Sequence, residues 1–91
     1  MNNATPTIAD IRSAIDDADE ILLRSLAARF KGVEQLKILK EIQRLPLEDT
    51  VREDELKTKW KAHAKKLGIR EELALMILDF VLAESKRIQK S

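Results

Sequence analysis

Apolar residues recur at intervals of three and four through Ile8, Ile11, Ile15, then Leu22, Leu26, Phe30, Val33 and Leu36. That period is helical and predicts one long amphipathic helix over about residues 6–43. Pro6 suits a first helical turn, and Thr7 with Asp10 resembles a capping box. Gly32 costs roughly 1 kcal/mol relative to alanine, too little to end so sustained a pattern. Arg44-Leu45-Pro46 does end it, because Pro46 disfavours helical geometry at Leu45 and has no backbone donor. A second helix is predicted over 50–67, opening at Asp49 or Thr50, where Thr50-Val51-Arg52-Glu53 fits an S/T-x-x-E box. Leu56, Trp60, His63 and Leu67 share one of its faces, with Trp60 and His63 read as core or pocket wall. Gly68 is a suitable C-terminal cap. A third helix is predicted over 70–90, with Leu73, Met76, Ile77, Phe80, Val81 and Ile88 as its apolar positions. No strand-like alternation is visible. The expected fold is all-α, a single domain over 1–91 built as a three-helix protomer.

The predicted lengths carry a further expectation. A 36-residue helix from Ile8 is roughly 54 Å long, whereas a compact globule of 91 residues has a radius of gyration of only about 12 Å. The first helix therefore has too little of its own chain to cover its stripe. A second copy is the simplest remedy, which predicts an intertwined homodimeric helical bundle without a stable folded monomer.

Two cations interrupt that stripe. Arg29 and Lys40 stand where apolar residues should continue, eleven positions apart. At ~100° per residue, Lys40 falls within about 20° of Arg29 and roughly 16 Å further along the axis. Lys37 falls about 80° from Arg29, which favours Lys40 as the group sharing its face. Two cations facing a core call for an anion, and this spacing suits a small, multiply charged acid.

Composition narrows the chemistry. Lys and Arg number 17 against 16 Asp and Glu, so net charge makes no case for nucleic acid or an anionic membrane. Apolar residues are 44%, too many for disorder, and no unbroken apolar run approaches the ~20 residues that span a bilayer. There is no cysteine, hence no disulfide and no thiolate metal site. With His63 as the single histidine, a His-based metal site or hydrolytic triad is disfavoured. The opening MNNATPTIAD has no basic stretch leading into an apolar one, so no signal peptide is expected and a cytoplasmic location is the default.

Five places carry polar groups that a helical pattern positions awkwardly: Arg12, Arg29, Lys40, the Asp49/Arg52/Glu53 cluster, and Ser85 with Gln89. Arg12 lies roughly 260° round the helix from Arg29, so in a side-by-side dimer it would reach the neighbour's site rather than its own. Glu53 lies within about 60° of Leu56, Trp60 and Leu67 and so faces inward. Each also has a plain structural reading. Arg12 fits a solvated charge, Arg29 a buried ion pair, and Lys40 a lysine snorkelling from a helix end. Glu53 fits a capping-box residue, and Gln89 a frayed surface position. Their joint spacing is the stronger signal.

That joint pattern resembles a family. Arg12 sits in IADIRSAIDDADEILLRSLAARF, ahead of Ile15-Asp16-x-x-Asp19. Lys40 follows Arg29 by eleven residues, and D-x-x-R-E in LPLEDTVRE begins nine residues after that lysine. With Gln89 added, the chain is similar to the all-helical chorismate mutases from about Ile8 to Gln89. The resemblance implies an intertwined homodimer with two equivalent sites and chorismate, a small dicarboxylate, as substrate. It implies that Arg29 and the partner's Arg12 bind carboxylates, and that Lys40 contacts a carboxylate and the ether oxygen. Glu53, with Asp49 nearby, would hold the ring hydroxyl. Arg52 would border the site and orient its acidic neighbours, Ser85 would lie near a carboxylate, and Gln89 would donate to the ether oxygen. Glu48 and Thr50 depart from the family's habits, which place a basic or aromatic residue and a proline there.

The implied reaction rearranges chorismate to prephenate within one molecule, in aromatic amino acid biosynthesis, and needs no metal or other cofactor. It requires the flexible substrate to be held folded and the charge developing on an ether oxygen to be stabilised. Guanidinium forks suit the first task, and a lysine with an amide suits the second. Two alternatives keep the same anion clamp: an isochorismate pyruvate-lyase and a mutase of an amino-substituted chorismate. A third, from another class, is a non-catalytic helical dimerisation module. It accounts for the stripe but not for Arg29 within it.

Overall fold

A computed structural model describes residues 5–91. It consists of three helices, α1 (Ile8–Gln43), α2 (Thr50–Leu67) and α3 (Glu71–Lys90), and no strand occurs among the described residues. None of these helices is long and apolar enough to cross a membrane.

Local chemistry sets each helix end. α1 starts at Ile8 rather than 6, because Thr7 acts as its cap. The Thr7 backbone N–H donates to Asp10 Oδ2 at 2.9 Å, and the Asp10 N–H donates back to Thr7 Oγ1 at 3.1 Å. At its other end Arg44 turns left-handed, with φ of 58°. Leu45 N–H then donates to the Lys40 carbonyl at 2.8 Å and Arg44 N–H to that of Glu41 at 3.3 Å. This is the Schellman closure, made here by a residue that lacks glycine's freedom in that region. α2 ends in the same way at Gly68, with φ of 74° and the Ile69 N–H on the Ala64 carbonyl at 2.8 Å.

The opening of α2 differs from the S/T-x-x-E reading. Its cap is Asp49, whose Oδ1 accepts from the Arg52 N–H at 3.0 Å. Thr50 is therefore the first helical residue, and Glu53 is released from any capping duty. α3 opens at Glu71, one residue later than expected, with no side-chain cap at Arg70.

By its contacts the chain divides into one unit reaching to Lys31 and another over Gly32–Ser91. In the first, the expected stripe is at the surface: Ile8, Ile11, Ile15 and Leu22 are each more than half exposed, and only Leu26 and Phe30 are half-buried. The second is centred on α2 against α3. Leu56 and Ala64 of α2 are buried with Ala74, Leu78, Val81 and Ser85 of α3. The buried positions on α3 recur at intervals of four, three and four, so they form one stripe. That stripe corrects the expected one. Leu73, Met76, Ile77 and Phe80 remain exposed, Phe80 at 75%. Leu73, Met76 and Phe80 lie roughly 100° or more round the helix from Ala74 and Ser85, the small residues that let α2 approach, while Ile77 lies about 60° from Ala74, at the edge of that face. Val81 is buried as expected and Ile88 half-buried.

Candidate active site

Within Gly32–Ser91, three polar links draw the end of α1, the start of α2 and the end of α3 toward one another. Lys40, in the last turn of α1, donates from Nζ to the Leu47 carbonyl at 2.9 Å. Lys37, one turn earlier, donates to the Ser91 carbonyl just past α3. Lys86 of α3 meets Glu53 of α2, with Nζ 3.2 Å from Oε1. The first link ties α1 to the loop ahead of α2, the second ties α1 to α3, and the third ties α3 to α2.

Lys40 is held from both its ends. Its carbonyl accepts the Leu45 N–H of the helix closure, and its ammonium reaches the loop that this closure redirects. A lysine ammonium has three donors, so two remain after the Leu47 contact. The residue is half-buried.

Glu53 and Gln89 are related through Lys86, the first as its ion-pair partner and the second three residues further along α3. Glu53 is 23% exposed, and its carboxylate turns toward α3. Ser85 precedes Lys86 directly, is buried, and donates from Oγ to the Val81 carbonyl at 2.8 Å. Gln89 lies one turn beyond Lys86, inside α3 and half-buried. The surface reading of Gln89 as a frayed end therefore does not hold.

Asp49 and Arg52 are exposed, at the rim. One oxygen of Asp49 is committed to capping, and the Arg52 guanidinium stands 3.5 Å from Glu55 on the outer side of α2, not at Glu53. The remaining two predicted residues belong to the segment that ends at Lys31. There Arg12 is exposed and Arg29 is half-buried.

Two cations of this region were not singled out by the sequence reading. Lys86 could have been found as a basic residue lying between Ser85 and Gln89. A cation near a helix C-terminus is so commonly placed there by the helix dipole that it gave no contrast. Lys37 stands out in the sequence only as a rival to Lys40. The carboxyl held below its ordinary range on α3 is Glu84, through the hydrogen bond from Arg87 and its charge, and it is only partly exposed.

A separate apolar cleft of about 210 Å³ is lined by Trp60, His63, Ala64 and Leu67 of α2, with Ile69, Ala74 and Ile77. His63 and Trp60 are thus wall residues. No Lys, Arg, Asp or Glu lines the cleft, and it does not include Lys40, Glu53 or Gln89. The polar cluster, not the cleft, has the chemistry to bind an acid.

A family model described as chorismate mutase type II matches residues 11–90 of the chain. No curated protein and no solved structure matches it.

Proposed function

The chain belongs to the type II chorismate mutase family, and from that premise we propose that it rearranges chorismate to prephenate in an intertwined homodimer, at a site in which Arg29 and the partner's Arg12 grip the two carboxylates. Membership of the family supports an isomerase in general terms. The finer reading draws its main support from one observation: Lys40, Glu53 and Gln89 sit on three different elements whose ends are linked to one another.

The reaction breaks a carbon–oxygen bond while a carbon–carbon bond forms, with no proton, nucleophile or electron exchanged with the protein. The protein therefore has to orient and to stabilise. Arginine forks on both carboxylates hold the side chain folded over the ring, which converts a rare conformer into the bound one. Lys40 and Gln89 donate to the ether oxygen as it gains negative charge. Glu53, with Asp49 at the rim, accepts from the ring hydroxyl. Ser85 lies beside a carboxylate, and Arg52 borders the entrance.

An acceleration of about 10⁶ needs roughly 8 kcal/mol. Losing one preorganised donor at a developing oxyanion costs about 3–4 kcal/mol, so two such donors with correct orientation supply most of it. An exposed apolar stripe on the N-terminal segment supports the homodimer, since patches of that kind mark surfaces that are covered in use.

The test is a chorismate-to-prephenate assay on the purified protein, run beside a pyruvate assay on isochorismate. Prephenate should form, and Lys40→Ala should lower turnover by about 10²–10³ without unfolding the protein. Near-normal turnover by Lys40→Ala overturns the site. Pyruvate from isochorismate without prephenate from chorismate assigns the chain to the lyase instead.

A further inference from the structure

We infer that Lys86 is a specificity-determining residue, which acts through Glu53 to make the site select a substrate whose ring bears a hydroxyl over one whose ring bears an ammonium. The inference rests on the function proposed above and sharpens its substrate class.

Glu53 taken alone would serve either group. A carboxylate accepts from a hydroxyl and also pairs with an ammonium. The structure does not leave it alone. Asp49 caps α2, so Glu53 is free to face α3, and there the Lys86 ammonium lies 3.2 Å from its Oε1. Glu53 is 23% exposed and Lys86 40%, so the pair is partly withdrawn from water. Lys86 occupies α3 between Ser85 and Gln89, the two residues of that helix proposed above to face the substrate.

Pairing changes what Glu53 offers. Its Oε1 already faces the Lys86 ammonium. Its second oxygen keeps lone pairs for a hydroxyl proton. The pair as a whole has no net charge, so it adds no repulsion against a dianion. A ring ammonium in the hydroxyl's place would share the carboxylate with Lys86. Its attraction to Glu53 would be offset by a like charge bound to the same group, which is the repulsive element that specificity commonly requires. A neutral hydroxyl meets no such opposition.

The experiment compares kcat/KM for chorismate and for its analogue with an amino group in place of the ring hydroxyl. It uses the full chain, Lys86→Met and Lys86→Arg. The unaltered protein should favour the hydroxyl substrate by about tenfold or more, and Lys86→Met should shrink that preference by about tenfold, mainly through KM for the amino analogue. The ring substituent takes no part in bond making, which is why KM rather than kcat should move. Lys86→Arg keeps the charge and should keep the preference, an outcome that a role in helix stability alone would not produce. Lys86→Gln serves in place of Lys86→Met should the latter not fold. A preference unchanged by Lys86→Met, in a protein that converts chorismate, overturns this inference and leaves the mutase reading standing. A protein that converts neither acid overturns both.

Discussion

The α2–α3 seam within Gly32–Ser91 and the segment up to Lys31 carry similar apolar residues and treat them in opposite ways. In the former, α2 and α3 enclose Leu56, Ala64, Ala74, Leu78 and Val81, and Leu78 has no exposed surface at all. In the latter, Ile8, Ile11, Ile15, Ile21, Leu22 and Leu23 all stand more than half in water. Burying six such side chains gains on the order of 10 kcal/mol, comparable with the whole stability of a small domain. The contrast shows where the information for folding lies. The α2–α3 seam specifies its own packing, whereas the segment up to Lys31, like Phe80 and Met76 on the far side of α3, presents a surface to be packed against.

The largest expected effect breaks that contrast at its weaker side. Ile15→Asp places a charge in the middle of the stripe, where a covering chain would have to desolvate it. We expect self-association to be lost and activity with it, read by sedimentation equilibrium and by the mutase assay. The unaltered protein should melt at a temperature that rises with concentration. Unchanged association in Ile15→Asp would mean that the stripe is not the interface.

Gln89→Glu makes the complementary change inside Gly32–Ser91. At neutral pH the new carboxylate opposes the developing oxyanion, and turnover should fall by about 10² or more while association is untouched. Below the ordinary glutamate range, near 4.3, the protonated carboxyl can donate again and activity should return. An unaltered pH profile argues against Gln89 at the ether oxygen. Leu78→Ala then probes the self-contained core and should cost about 2–5 kcal/mol in denaturant unfolding, with the cavity as the cause. A cost below 1 kcal/mol would show that α2 and α3 close over the gap.

How far the molecule is legible in its sequence follows the same division. Helix ends are readable where the signal is local: the Thr7–Asp10 box, Pro46 after α1, Gly68 after α2. The inward face of α3 is not, because periodicity weighs large apolar residues, and here Ala74 and Ser85 allow the approach while Phe80 stays outside. The box at Thr50 misleads for a related reason, since Asp49 one residue earlier caps better and frees Glu53 for α3. Angles on one helix could bring Arg29 and Lys40 to one face and turn Glu53 inward. They could not disclose Lys86, whose partner lies on another helix, nor the hold of the Leu47 carbonyl on Lys40. Contacts between elements need the turn that joins them, and the turn that carries the Leu47 carbonyl to Lys40 is set by a left-handed arginine which no simple rule anticipates.

The smallest expected effect concerns the entry to α1. Thr7 donates its backbone N–H, and offers its side chain, to hold the Asp10 carboxyl below the ordinary range. Because the folded value lies below the unfolded one, near 3.9, the stabilisation is fully present above that value and is lost as pH falls through the lowered one. Asp10 is exposed, so the effect is confined to the first turn. Asp10→Asn keeps an acceptor for the Thr7 N–H but cannot titrate. On acidification, Cα chemical shifts at residues 8–11 should therefore move toward coil values in the unaltered protein and stay put in Asp10→Asn. The same acid response in both would mean that another group governs the turn. It would also mean that the N-terminal segment owes its helix to whatever covers its stripe rather than to its cap.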